Sequence, residues 1–126
     1  MNKENHYEYK SLHAYDMAYR MAMEVFELSK TFPTDEDAAL TGCLRRSSRL
    51  ICSNIAAAFA KPGAVENYST LLADADSKCA ETIVWLDFSC DCQYLSSHTF
   101  NRLRQAYEEI GKMLGNLALH PDLLPV

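Results

Sequence analysis

The chain is short of the residues that break regular structure, with four glycines and four prolines in 126 residues. So few breakers exclude collagen-like and low-complexity architectures, and a composition 48% hydrophobic and 23% charged excludes a disordered chain. Alternation of apolar and polar residues, the mark of a half-buried strand, is missing throughout. No window reaches the roughly 20 apolar residues a membrane span needs, and residues 1–11 (MNKENHYEYKS) lack the apolar run of a secretory signal. A cytoplasmic location is expected, where five cysteines, an odd number, stay reduced. The formal net charge is −5, from 12 basic and 17 acidic side chains. An acidic domain repels phosphate backbones, so nucleic-acid binding is disfavoured unless a local basic patch offsets that field.

What the chain does have is helical periodicity in four segments. In the first, about 12–30, Ala14, Ala18, Met21, Val25, Leu28 and Phe32 follow at steps of four and three, and Phe32-Pro33 ends the run. Thr34 is expected to cap the second helix, with Asp35, Glu36 and Asp37 in its first turn and Asp37 as the acidic half of a capping box. That helix carries the seam Leu40, Leu44, Ser47, Ile51, Asn54 and Ala58 and runs to Pro62-Gly63. The third, about 65–94, has the seam Tyr68, Leu72, Ala75, Cys79, Thr82, Leu86 and Ser89; Ser96-Ser97 breaks it and caps the fourth, with seam Phe100, Leu103, Tyr107, Ile110, Leu114 and Leu117. Four amphipathic helices joined by short connections predict one all-α domain over residues 12–119, an antiparallel up-and-down four-helix bundle. Residues 1–11 and 120–126 are expected to be loose tails.

The first helix carries a second stripe, Tyr15, Tyr19, Ala22 and Phe26, one residue from the first. That is more apolar surface than one bundle core needs, so these four residues are predicted to form an oligomer interface. Asn54 lies on the seam of helix 2, where a hydrogen-bonded amide fixes register between helices. Arg45, Arg46 and Arg49 crowd one turn and suit phosphate. Folding about Pro62-Gly63 brings Arg49 level with Asp76, and Arg45 and Arg46 within a turn of Glu81. An interhelix network of Arg45, Arg46, Arg49, Asn54, Asp74, Asp76 and Glu81 is therefore expected to hold the guanidinium groups.

Catalytic machinery is not legible. Bundle di-iron sites need Glu-x-x-His on two helices, and none of His6, His13, His98 or His120 follows an acidic residue by three. Cys90-Asp91-Cys92 within a helix puts its two thiols on nearly opposite faces. There is no glycine-rich phosphate loop, and no histidine in a helical core segment to activate a nucleophile. No metal, cofactor, catalytic residue or enzyme activity is expected.

Several of these residues resemble a known family. Phe32-Pro33 followed by acidic residues, then Leu44-Arg45-Arg46, then Ile51-Cys52-Ser53-Asn54-Ile55-Ala56, is similar to the FP, LRR and SIxxNIAEG signature of the four-helix bundle proteins encoded in intervening sequences of bacterial 23S rRNA genes. Asn67-Tyr68, Leu71-Leu72, Ala75 and Glu81 resemble that family's EFxxFLxxAxGSxxE segment, and Met113-Leu114 with Leu117 its closing motif. The resemblance implies a bundle assembled as a homopentameric ring. It also links the chain to the accessory proteins of diversity-generating retroelements, basic pentamers that work with a reverse transcriptase and nucleic acid. Two departures stand out: Ala57-Ala58 replaces Glu-Gly, letting helix 2 continue toward Lys61, and Ser77-Lys78 replaces Gly-Ser. The resulting reading is a non-catalytic homo-oligomer that acts as an interaction scaffold. The alternatives are an RNA- or DNA-associated accessory protein using the helix 2 arginines, and a small-molecule binder or enzyme with a site at subunit junctions.

Overall fold

The computed structural model describes residues 12–60 and 65–119. Both expected tails and the turn at Pro62-Gly63 lie outside the described residues. Among these residues there are four α-helices and no strand: α1 (His13–Ser29), α2 (Leu40–Ala58), α3 (Val65–Asp91) and α4 (Ser97–Leu119). Each of α1 and α3 packs on α2 and α4, so α1 and α3 stand at opposite corners. Direction follows from contacts between helix ends. The Tyr68 hydroxyl near the start of α3 donates to Leu117 O near the end of α4 at 2.9 Å. Arg102 early in α4 reaches Glu24 late in α1 through Nη1–Oε1 at 3.0 Å. The helices alternate up and down.

The seam of α3 is fully recovered: Tyr68, Leu72, Ala75, Cys79, Thr82, Leu86 and Ser89 are all buried. Leu103, Tyr107, Ile110 and Leu114 of α4 face them, also buried. On α1 the buried stripe is Ala14, Ala18, Ala22 and Val25, so the core lies slightly round from the expected line and leaves Met21 and Leu28 half-buried. The buried stripe of α1 is mostly alanine, and the larger buried side chains come from α2, α3 and α4.

Three helix ends differ from expectation. Thr34 opens a 3-10 turn, Thr34–Glu36, and caps nothing; α2 begins at Leu40. The capping carboxylate belongs to Glu36, not Asp37: Glu36 Oε1 accepts from the Leu40 N–H at 3.4 Å and Oε2 from the Tyr94 hydroxyl at 2.9 Å. This loop then crosses α2 so closely that a Cβ on Gly42 would sit 2.8 Å from Asp37 O, which only glycine allows. At its far end α2 stops at Ala58 and does not continue toward Lys61, itself outside the described residues. α3 stops at Asp91, before the serines, because Gln93 turns left-handed (φ 67°) and the Tyr94 N–H reaches back to Ser89 O at 2.8 Å. Ser96 does cap α4, its hydroxyl accepting from the Thr99 N–H at 3.1 Å.

The buried polar contact between helices joins Ser47 of α2 to Thr82 of α3, oxygen to oxygen at 2.9 Å, where both residues are almost wholly covered. Asn54 does not play that part. It is half-buried and makes no side-chain hydrogen bond among the described residues, because Ile55 takes the inward position at that turn. Register is therefore specified by two hydroxyls whose two protons are shared among three contacts, the one between them and one each to Leu44 O and Lys78 O on their own helices. Asn54→Leu is expected to change stability by no more than about 0.5 kcal/mol. Ser47→Ala and Thr82→Val should each cost about 1 kcal/mol, and the double variant less than their sum, since it leaves no hydroxyl without its mate. Urea unfolding of the four proteins measures both statements.

Candidate functional site

Successive residues of a helix are rotated by about 100°, so with Ser47 against α3, Arg45 and Arg49 fall on the far side of α2, toward α1. This overturns the expected network. Arg45 closes the end of α1: its Nε donates to Ser29 Oγ at 2.8 Å, its Nη2 to Phe26 O at 3.4 Å, and its guanidinium lies 4.8 Å from the centre of the Phe26 ring. The last turn of α1 has no basic residue of its own. Its four terminal carbonyls are met by Arg45 and Ser29 at Phe26, by the Lys30 N–H at Glu27, by the Thr31 hydroxyl at Leu28 and by the Phe32 N–H at Ser29. A cation borrowed from α2 thus serves the negative end of the α1 dipole.

Arg49 stacks more loosely on the same ring, 5.7 Å from its centre, and Arg46 is exposed. Neither forms an ion pair among the described residues. Asp74 and Asp76 are exposed, Asp76 lying against Gly111 of α4, and Glu81 is taken by Lys78 of its own helix at 2.7 Å. The register between α2 and α3 was close to the expected one; the rotational position of the arginines was not.

Between α1 and α2 runs an open groove of about 350 Å³, walled by Tyr15, Tyr19 and Met23 on one side and by Arg49, Cys52, Ser53 and Ala56 on the other. It is continuous through Arg49 and Ser53 with a shallow depression of about 430 Å³ on the outer face of α2, lined by Arg45, Arg46 and Leu50. Tyr19 is 52% exposed and Met23 46%, and the rings of Tyr15 and Tyr19 lean together at 6.1 Å. Of the four residues expected at an interface, Tyr15 and Phe26 are half-buried, and Ala22 forms the groove's floor, buried by its own chain. Met23 was not anticipated, although its spacing of four from Tyr19 marks it as the next residue on that face.

The site does not hold an activated nucleophile. Cys52 is half-buried at the groove wall, and burial pushes its thiol up to about 11. Cys79 in the core is pushed up to about 12, first by burial and then by the Asp76 carboxylate. Both stay protonated and unreactive at neutral pH. Cys90 is half-buried and Cys92 exposed, and among the described residues no three histidine, cysteine or carboxylate side chains converge on a metal-sized space. Nor is any helix there long and apolar enough to cross a membrane. An open groove with an aromatic wall, a cationic wall and no reacting group is suited to recognition.

The fold has a counterpart of known structure. A protein of unknown function from the S23 ribosomal protein family of Bacteroides thetaiotaomicron superposes with a TM-score of 0.73 at 21% identity, over 83% of this chain and 94% of that one. At that identity the likeness establishes the four-helix arrangement alone. No curated protein matches the sequence. The Leu44-Arg45-Arg46 run that closes α1 and the Asn54-Ile55-Ala56 segment that follows both fall within a family pattern covering residues 10–116, and the chain belongs to the 23S rRNA-intervening sequence proteins.

Proposed function

We propose that the protein is a non-catalytic scaffold that self-associates through the α1/α2 face, in the cytoplasm and, by the family resemblance, as a ring of five. The observation that carries this reading is the exposure of Tyr19 and Met23 beside Arg49, an aromatic and cationic face that the chain's own helices leave uncovered. Tyrosine and arginine are the residues enriched at the energetic centres of protein interfaces. Sedimentation at micromolar concentration is expected to show no monomer for the native chain and a lighter species for Tyr19→Glu with Met23→Glu. Both side chains are about half exposed, so the variant should keep its helical content. A monomeric native protein overturns the scaffold reading.

One observation favours a second reading, an accessory protein for RNA or DNA: Arg46 and Arg49 lack carboxylate partners among the described residues, and Tyr15 and Tyr19 line the groove with Arg49. Against it, Arg45 is committed to the end of α1, which leaves two of the three α2 arginines to release counterions from a backbone that a net charge of −5 repels. Titration with single-stranded RNA and duplex DNA across a salt series should give weak binding at physiological salt. Submicromolar affinity with a steep salt slope, lost in Arg46→Ala with Arg49→Ala while the fold is kept, would put this reading first.

A further inference from the structure

The outer face of α3 carries a second uncovered patch that neither reading uses. Asp74, Ser77, Glu81, Val84, Phe88 and Asp91 recur at steps of three and four along the side of α3 away from the core. Val84 is 46% exposed and Phe88 54%. Phe88 stacks on Trp85 with ring centres 6.1 Å apart, and the Trp85 indole N–H is buried without a hydrogen-bond partner among the described residues. The patch is apolar in the middle and acidic around it. Asp87 and Asp91 flank Phe88, both exposed, and the single lysine of the helix is bound to Glu81.

Charge is divided between the helices in a way the net value hides. α2 carries three arginines and no carboxylate; α3 carries six carboxylates and one lysine. Because α1 and α3 stand at opposite corners, the Tyr19–Met23 wall on α1 and the Val84–Phe88 patch on α3 point away from one another and cannot cover each other within one chain. A contact of like faces between two copies would set arginines beside arginines on one side of the molecule, or carboxylates beside carboxylates on the other. A contact of unlike faces sets each against its opposite and meets aromatic with aromatic.

We propose that the Val84–Phe88 edge of α3 docks into the α1/α2 groove of a second copy, with Phe88 against Tyr19 and Met23, and Asp87 and Asp91 toward Arg46 and Arg49. The proposal rests on the self-association reading and names which surface fills the groove. A head-to-tail contact leaves every open assembly with one vacant groove at one end and one vacant α3 edge at the other, so association proceeds until a ring closes.

This geometry has a consequence that a two-fold contact lacks. Tyr19→Glu disables the groove and keeps the α3 edge; Phe88→Glu disables the edge and keeps the groove. By sedimentation or light scattering at micromolar concentration, each variant alone is expected to be monomeric, and an equimolar mixture to form a heterodimer of twice the mass and grow no further. If Phe88→Glu assembles as the native chain does, or if the mixture stays monomeric, the α3 docking falls and self-association by another face stands. A native chain that is itself monomeric overturns both. If Phe88→Glu loses helical content, Asp87→Arg with Asp91→Arg carries the test, since both side chains are exposed; association should then weaken at least about tenfold, and an unchanged assembly overturns the proposal.

Discussion

Stability should fall steeply as the pH rises from about 9 to about 12. Three acids are held neutral by burial, Cys79 and Tyr107 in the core and Cys52 at the groove wall. Cys79, 2% exposed, has its thiol pushed from 9.0 up to about 12; Cys52 is raised to about 11; and the Tyr107 hydroxyl, fully covered, is held well above its ordinary 10.0 by burial. The unfolded chain releases these protons at their ordinary values while the folded chain keeps them. Above pH 9 the unfolded state therefore binds fewer protons, and each further rise favours it. The stabilisation is fully present below the unfolded values and is lost as pH climbs toward the folded ones. Each fully buried acid contributes about 1.4 kcal/mol per pH unit inside its window, so Cys79 and Tyr107 together give roughly 3 kcal/mol per unit above pH 10. Urea midpoints taken at unit steps from pH 8 to pH 11 measure the slope. Cys79→Ala should start lower at pH 8 and fall less steeply, by the share of one proton. An identical slope in that variant would mean that Cys79 contributes nothing to the alkaline loss.

The parts of this molecule that the sequence makes legible are those decided within a single helix. All seven seam residues of α3 are buried because period and polarity agree there over 27 residues, which leaves one orientation that hides them. Ser96 caps α4 through its own side chain, again a local matter. What failed needed knowledge of a neighbour. Thr34 has the chemistry of a cap, but the chain spends one turn of 3-10 helix in reaching α2, and that geometry passes the role to Glu36, which Tyr94 in the turn after α3 holds in place.

The arginines are the sharper case. Their register against α3 follows from loop length and was nearly right, as the Ser47–Thr82 contact confirms. Their direction follows from which flank of α2 meets α1, and the attraction that decides it is the uncompensated carboxyl end of α1, invisible in a list of charged side chains. Asn54 failed for a related reason. A seam drawn at steps of three and four leaves two candidates at each turn, and the buried one is the apolar Ile55. The groove itself belongs to two helices, so only its α1 wall could be anticipated, from Tyr15 and Tyr19.

At Tyr107 two substitutions should move stability in opposite directions. The residue is completely covered in the middle of α4, and its hydroxyl has no hydrogen-bond partner among the described residues. Burial first, and then the Cys79 and Cys52 thiols and the Glu24 carboxylate, disfavour its ionised form, and the thiols are only weak hydrogen-bond partners. Its ring is part of the buried core, while its oxygen has lost water and gained no partner among the described residues. Tyr107→Phe keeps the ring and removes the orphaned group, so it should stabilise the fold by about 1 to 2 kcal/mol. Tyr107→Ala removes the ring and opens a cavity that Leu103 and Ile110 on the same helix cannot fill, at a cost of about 3 to 5 kcal/mol. Thermal and urea unfolding at neutral pH decide both, and the phenylalanine variant should also lose the Tyr107 share of the alkaline slope. A loss of stability in Tyr107→Phe would show that the hydroxyl is hydrogen-bonded after all, through a water held between α3 and α4.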